Sequence, residues 1–105
     1  KSDSLVKLQA EMEDNIGKCY YYSDIDDSLN FIQIYTKITG TKILEKRNVV
    51  LYTAMTIEIS DDTIYYIKDV TFDRDDLKEN KLIDASIFDE VERYKELKNF
   101  KHDKK

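Results

Sequence analysis

The chain has 105 residues, enough for one domain with a single core. Charged residues make up 37% of it and hydrophobic residues 41%, a balance typical of a folded domain rather than a disordered chain. The net charge of -5 and the pI near 4.9 argue against a protein that coats nucleic acid, because phosphate binding requires clustered Lys and Arg.

Few residues are suited to catalysis or to metal binding. Cys19 is the only cysteine, which excludes an intramolecular disulfide and fits a reducing cytoplasm. His102 is the only histidine, so histidine-based triads and metal sites lack their base or ligands. Gly17 and Gly40 are isolated and form no phosphate-binding loop. We therefore predict no enzyme, no cofactor and no metal site, and, from the short apolar runs, a cytoplasmic protein without a membrane span.

The first predicted element is a helix over residues 3–16. Its apolar residues recur at helical spacing and form one narrow stripe: Leu5, Leu8, Met12 and Ile16. Gly17 is well placed to end the helix. We expect the stripe to cover a sheet.

Two strands are predicted next, over residues 18–23 and 31–39. Gly40 interrupts the alternation of the second strand, and residues 41–48 are interpreted as a solvated hairpin loop. The short connections favour an antiparallel meander, because parallel strands need a longer crossover.

The best-specified stretch is residues 49–72, which predicts a β-hairpin. Odd-numbered residues from Val49 to Ile59 share one face, which we interpret as the core face. Ile64, Tyr66, Val70 and Phe72 repeat the alternation on the return strand. Asp61 and Asp62 form the predicted two-residue turn.

The last third of the chain predicts a polar loop with one helical turn at 74–79, then a terminal helix. Leu82 and Ile83 are expected to re-enter the core between them. Ser86 is the predicted N-cap of the helix. Its core face is expected to comprise Ile87, Val91, Tyr94 and Leu97, with Phe88 beside them. Residues 102–105 are expected to fray.

These elements predict a single α+β domain over residues 1–105. It consists of an antiparallel meander sheet of about four strands, with an N-terminal and a C-terminal helix packed on it.

Tyrosine is abundant, with eight residues. Tyr35, Tyr52 and Tyr65 lie at positions that by parity point away from the core face. Two interpretations remain open: a half-aromatic face covered by a helix, or an exposed surface for protein recognition.

Acidic residues concentrate in residues 61–92, which carry eleven acids against four bases. The densest group is Asp61, Asp62, Asp69, Asp73, Asp75, Asp76 and Glu79. On an extended strand, which rises roughly 3.3 Å per residue, alternate carboxylates lie about 6 to 7 Å apart. This spacing is close to that of phosphates along single-stranded nucleic acid. We therefore predict an edge that mimics nucleic acid, with Tyr65 flanking it as a stacking surface. The alternative is a soluble acidic surface.

Two acidic clusters invite a metal interpretation. The first comprises Asp24, Asp26 and Asp27, and the second lies at residues 73–79. Neither has the glycine position of a calcium-binding loop, so solvated loops are expected. A third hypothesis, a hydrolase or nuclease using Asp24, Asp26 and Asp73, would require divalent metal.

Two segments carry a resemblance to a known class of proteins: Ile-Gly-Lys-Cys-Tyr-Tyr-Tyr at residues 16–22 and Ile-Asp-Ala-Ser-Ile-Phe-Asp-Glu at residues 83–90. With the order of elements, they resemble small uncharacterised proteins of AT-rich bacteria and their phages. The boldest implication is an inhibitor that occupies the basic nucleic-acid groove of a host-defence protein, as anti-CRISPR proteins do.

The predicted function is therefore a non-enzymatic acidic protein-binding module of a phage or mobile element. Its expected partner is a basic nucleic-acid-binding host protein, with no direct nucleic-acid contact. The alternative is a structural or assembly accessory protein that forms a homo-oligomer through the tyrosine-rich sheet face.

Overall fold

The computed structural model describes residues 3–60 and 63–97, which form one antiparallel sheet and two helices. The elements are α1 (Asp3–Glu13), β1 (Cys19–Ile25), β2 (Phe31–Leu44), β3 (Val49–Ser60), β4 (Thr63–Phe72), β5 (Lys81–Ile83) and α2 (Ala85–Leu97). The strand order across the sheet is β4-β3-β2-β1-β5. The predicted α+β class is confirmed, with β5 as an additional short strand.

The β2–β3 hairpin is longer than the sequence predicts. β2 continues past Gly40 to Leu44, so the loop predicted at 41–48 is wrong. The pairing of β2 with β3 shifts register between Ile38 and Gly40, and the strand continues past the glycine. A Cβ at Gly40 would lie 2.9 Å from Thr53 Oγ1, so glycine allows the strands to approach there. The turn itself is a short 3₁₀ helix, Glu45–Arg47.

The β3–β4 hairpin is confirmed, although its turn at residues 61 and 62 lies outside the described residues. A bulge in β4 interrupts the register opposite the stretch from Ala54 to Thr56, and Asp69 adopts a φ of 59° there. One extra residue reverses the parity of the strand. Tyr66 and Phe72 therefore point to opposite faces of the sheet, which corrects the single alternation expected for β4.

Helix α1 covers one face of the sheet, here called the α1 face. Leu5 and Met12 pack against Ile38, Tyr52 and other residues of that face. The helix ends at Glu13, earlier than predicted. Ile16 is consequently 46% exposed and does not join the stripe.

Helix α2 covers the opposite face, here called the α2 face. Phe88 is fully buried against Cys19, Ile57 and Tyr66. The expected helix face is rotated: Phe88 and Val91 face the sheet, whereas Ile87 and Tyr94 are largely exposed. The cap also differs from the prediction, because the Asp84 carboxylate accepts the Ser86 backbone N–H at 2.9 Å, in place of a Ser86 cap.

The connection from β4 to β5 crosses the sheet, because these strands lie at opposite edges. Four strand spacings of about 4.8 Å require it to span roughly 19 Å. This crossover segment, residues 73–80, contains the expected helical turn as a 3₁₀ helix, Arg74–Leu77. Leu77 packs into the core of the α1 face, so the segment passes over that face.

Strand β5 then pairs with β1 along the other edge of the sheet. Ile83 packs into the core of the α2 face. Leu82 is 59% exposed, so only one of the two residues expected to re-enter the core does so.

Candidate functional site

A pocket lies between the crossover segment and the α1 face, beside α1. Its volume is about 690 Å³. The sheet contributes Tyr22, Ile34, Thr36, Thr56, Glu58, Ile67, Val70 and Phe72. The crossover segment contributes Asp75, Asp76, Leu77, Lys78, Glu79 and Asn80. The pocket therefore has a largely apolar floor and a charged roof.

Strand register and the β4 bulge assemble the floor. Ile34 lies opposite Glu58, and Thr36 lies opposite Thr56. Thr56 in turn faces Ile67 across the next ladder. Ile67 and Val70 are three residues apart, an odd number that in a regular strand would place them on opposite faces. The bulge lets both line the pocket.

Glu58 is the charged residue of the floor. It is 9% exposed, although its neighbours across the two ladders are Ile34 and Tyr65. A carboxylate at such a depth is costly to bury unless other groups interact with it, and Glu58 has such an interaction. The sequence signal was present, because Glu58 interrupts an otherwise uncharged strand, but the residue was not predicted to form a site.

The crossover segment is held by its own carboxylates. Asp73 Oδ1 accepts the Asp75 backbone N–H at 3.1 Å, and Asp76 Oδ2 accepts the Asp73 backbone N–H at 3.0 Å. These reciprocal bonds form a capping box. Lys78 Nζ lies 3.5 Å from Asp75 Oδ1 in an exposed ion pair. Asp73 and Asp76 therefore serve the local structure of the roof.

Tyr22 links the two acidic clusters of the sequence. Its hydroxyl donates to Asp24 Oδ2 at 3.1 Å. That hydrogen bond and the charge of Asp24 raise the pKa of Tyr22, and the charge of Glu79 adds to the effect. Asp24 thus lies beside the pocket through Tyr22, and the crossover segment adds the carboxylates that line it. We call the four residues Asp24, Asp75, Asp76 and Glu79 the acidic rim.

The three tyrosines expected to share an outward surface do not do so. Tyr52 is 3% exposed beneath α1, and its hydroxyl accepts a hydrogen bond from Asn15 Nδ2 at 2.7 Å. Tyr35 belongs to the α2 face, where its ring centroid lies 4.9 Å from that of Tyr21 and burial raises its pKa. Tyr65 is partly buried opposite Glu58. For Tyr52 the interpretation of an aromatic face covered by a helix is confirmed, because α1 packs on it. The division into one core face and one outward face was wrong, because a helix packs on each face.

The evenly spaced row of acids expected along an extended edge is also wrong. Asp69 lies in the bulge, and Asp73, Asp75 and Asp76 lie in or beside a 3₁₀ helix. Asp61 and Asp62 lie outside the described residues. Of the described acids, Asp75, Asp76 and Glu79 line the pocket, whereas Asp69 and Asp73 do not.

The three acids of the hydrolase hypothesis are engaged in local hydrogen bonds. Asp26 Oδ1 accepts the backbone N–H groups of Ser28 and Asn30, both at 2.9 Å, which lowers the pKa of Asp26. Asp24 accepts the backbone N–H of Ile25 at 2.7 Å. Within residues 3–60 and 63–97, no group of three or more His, Cys, Asp or Glu side chains could hold a metal ion.

The described part of the chain also contains no helix with the length and apolar composition needed to cross a membrane. Comparison with known proteins adds no assignment: no protein-family model matches the chain, and no curated protein or solved structure is significantly similar to it.

Proposed function

We propose that the protein is a non-enzymatic binding module that engages a basic surface of a partner protein through its acidic rim. The observation that supports this proposal is that Asp24 is hydrogen-bonded to Tyr22, which lines the same pocket as Asp75, Asp76 and Glu79. As the resemblance to phage proteins implies, the partner would be a nucleic-acid-binding protein of the host.

The charge and exposure of the crossover segment favour this function. It carries four acids and two bases in eight residues, and Asp75 and Glu79 are both exposed. Exposed carboxylates at one edge attract a basic surface at long range, and the attraction weakens as salt increases. The capping box holds the backbone of the segment in place before a partner binds, which lowers the entropic cost of binding.

The test compares two double charge reversals in immobilised protein. Asp75→Lys with Glu79→Lys changes the acidic rim while leaving the capping carboxylates in place. Glu45→Lys with Glu90→Lys makes the same change in net charge at exposed positions outside both acidic clusters and outside the pocket. Each protein is exposed at low salt to bacterial proteins first purified by heparin affinity, and bound proteins are quantified by mass spectrometry.

We expect the parent and the control variant to retain the same basic protein, and single-stranded DNA to compete with it. The rim variant should retain at least about tenfold less, because two opposite charges become like charges. Equal retention by both variants, or no retained protein at low salt, would refute the proposal.

The alternative function is self-association. The surface that favours it is not the tyrosine-rich sheet face. Ile25, Leu29 and Phe31 are 59%, 85% and 51% exposed at the end of the β1–β2 hairpin. Leu29 also adopts a φ of 65°, a left-handed conformation that costs a non-glycine residue roughly 1–2 kcal/mol. An exposed apolar side chain on a strained backbone does not stabilise the monomer. We therefore interpret these residues as a contact surface.

The test of self-association is Leu29→Asn, since asparagine tolerates this backbone conformation. We expect the parent to form a dimer by size-exclusion chromatography with light scattering, and the variant to be a monomer. At a protein concentration where both are monomeric, the variant should unfold at a higher denaturant concentration. A parent that stays monomeric at high concentration would remove this alternative.

A further inference from the structure

We propose that the pocket beneath the crossover segment binds a small amphipathic amine, a molecule with a protonated nitrogen and an apolar body. The nitrogen would face Glu58, and the apolar body would lie against the floor. This ligand site shares Asp75, Asp76 and Glu79 with the acidic rim and differs from it in Glu58 and the apolar floor.

The size and walls of the pocket define the apolar part of the ligand. A volume of about 690 Å³ lies within the range of roughly 300–1,000 Å³ that is usual for small-molecule sites. Ile34, Ile67, Val70 and Phe72 supply aliphatic and aromatic contacts. Leu77 adds an apolar contact from the roof. An apolar chain that replaces water against these side chains gains free energy in proportion to the area it buries.

The charges of the pocket define the sign of the ligand's charge. Its lining contains four acids and one base. The base, Lys78, lies beside Asp75, so its charge is partly balanced. Anionic ligands such as fatty acids are therefore disfavoured. Cationic ligands are attracted at the entrance and again at the floor.

Glu58 distinguishes this site from a surface that is merely acidic. At 9% exposure, its carboxylate is shielded from bulk water, and charge-charge attraction is stronger in such an environment. A protonated amine offers N–H donors to a carboxylate, a pairing stronger than that of neutral groups. Thr36 and Thr56 provide hydroxyl groups on the same floor.

The experiment titrates three probes of equal chain length into isotope-labelled protein followed by NMR: n-octylamine, n-octanol and octanoate. We expect n-octylamine to bind at least about tenfold more tightly than either other probe, because only it pairs with a carboxylate. The largest shift changes should appear at the backbone amides of Thr36, Thr56 and Val70.

Three variants locate the binding. Glu58→Gln keeps the side-chain size and should weaken n-octylamine about tenfold while leaving n-octanol unchanged. Glu90→Gln removes a carboxylate from α2 on the opposite face and should change neither. Val70→Trp places an indole ring over part of the apolar floor and should weaken binding of both probes.

The inference is overturned if n-octylamine binds no better than octanoate, or if its shift changes avoid the pocket. Unchanged n-octylamine affinity in Glu58→Gln would overturn it as well. Should Glu58→Gln fail to fold, the three probes in the parent and Val70→Trp still decide the question. Because Asp75 and Glu79 are untouched in these variants, failure here leaves the protein-binding proposal intact.

Discussion

The two faces of the sheet are covered in different ways. Helix α2 packs on one, here called the closed face, whereas α1 and the crossover segment share the other, here called the open face because the pocket lies on it. On the α2 face, Phe88, Cys19 and Ile57 are at most 2% exposed. On the α1 face, α1 buries Ile38 and Ala54 just as completely, but it covers only part of the face. The crossover segment covers the rest and leaves a cavity of about 690 Å³.

The difference follows from what each cover can offer to the sheet. A helix places apolar side chains at every third or fourth position along one stripe, so it can fill the space above a sheet continuously. The crossover segment, residues 73–80, has Leu77 as its single apolar residue. Its carboxylates form hydrogen bonds with its own backbone. Such a segment can form a roof over a sheet without filling the space beneath it.

The largest expected effect is on the closed face, from Phe88→Ala. The ring is fully buried, so we expect a loss of about 3–5 kcal/mol in the free energy of unfolding. For a domain of ordinary stability this is a large fraction of the total. Leu77→Ala is the matched change on the open face. It should cost about 1–2 kcal/mol, because its side chain is only partly buried beside an existing cavity.

Urea denaturation followed by far-UV circular dichroism measures both losses. Equal losses for Phe88→Ala and Leu77→Ala would show that the crossover segment packs as tightly as α2. The comparison between a closed and an open face would then fail.

A smaller effect is expected from Asp73→Ala, which removes the cap of the crossover segment. The Asp75 backbone N–H loses its acceptor, and we expect a loss of about 1 kcal/mol in stability. Hydrogen exchange at the amides of residues 75–78 should accelerate, while exchange in α2 stays unchanged. Asp75→Ala is the control, because it removes only an exposed ion pair with Lys78. Equal exchange in the two variants would contradict the role of the cap.

The regular helices and strands were the more predictable parts of the fold. Period-two alternation predicted β3 and the hairpin with β4, and helical spacing predicted that Leu5 and Met12 would be buried. These signals are local, since each strand or helix carries its own pattern. The α+β class and the antiparallel order of β1 to β4 followed from them.

The pocket depends on features without a local signal. The bulge at Asp69 places Ile67 and Val70 on the same face. Asp is uncommon in strands and tolerates a positive φ, but a single Asp does not by itself specify a bulge. The path of residues 73–80 over the α1 face depends on β5 pairing with β1, a contact between residues about sixty positions apart. Strand parity placed Tyr52 on the face away from the predicted core face. Parity could not tell that this face is covered as well, because it carries no information about a second helix.

The smallest expected effect concerns the start of α2 and depends on pH. The hydrogen bond from the Ser86 backbone N–H lowers the pKa of Asp84 below its ordinary value of 3.8. A depressed folded-state pKa means that the ionised carboxylate stabilises the fold above the ordinary value, and that this contribution is lost as pH falls through the lower, folded value. Asp84→Asn keeps a cap that accepts the same hydrogen bond but cannot titrate. We therefore expect the parent to have the higher urea midpoint at about pH 6, and the difference between the two proteins to shrink below about pH 4. Glu90→Gln, which removes an exposed carboxylate later in the same helix, should not reproduce this dependence on pH.

A difference in urea midpoint between the parent and Asp84→Asn that stays constant from pH 6 into the acid range would mean that the cap does not depend on the charge of Asp84.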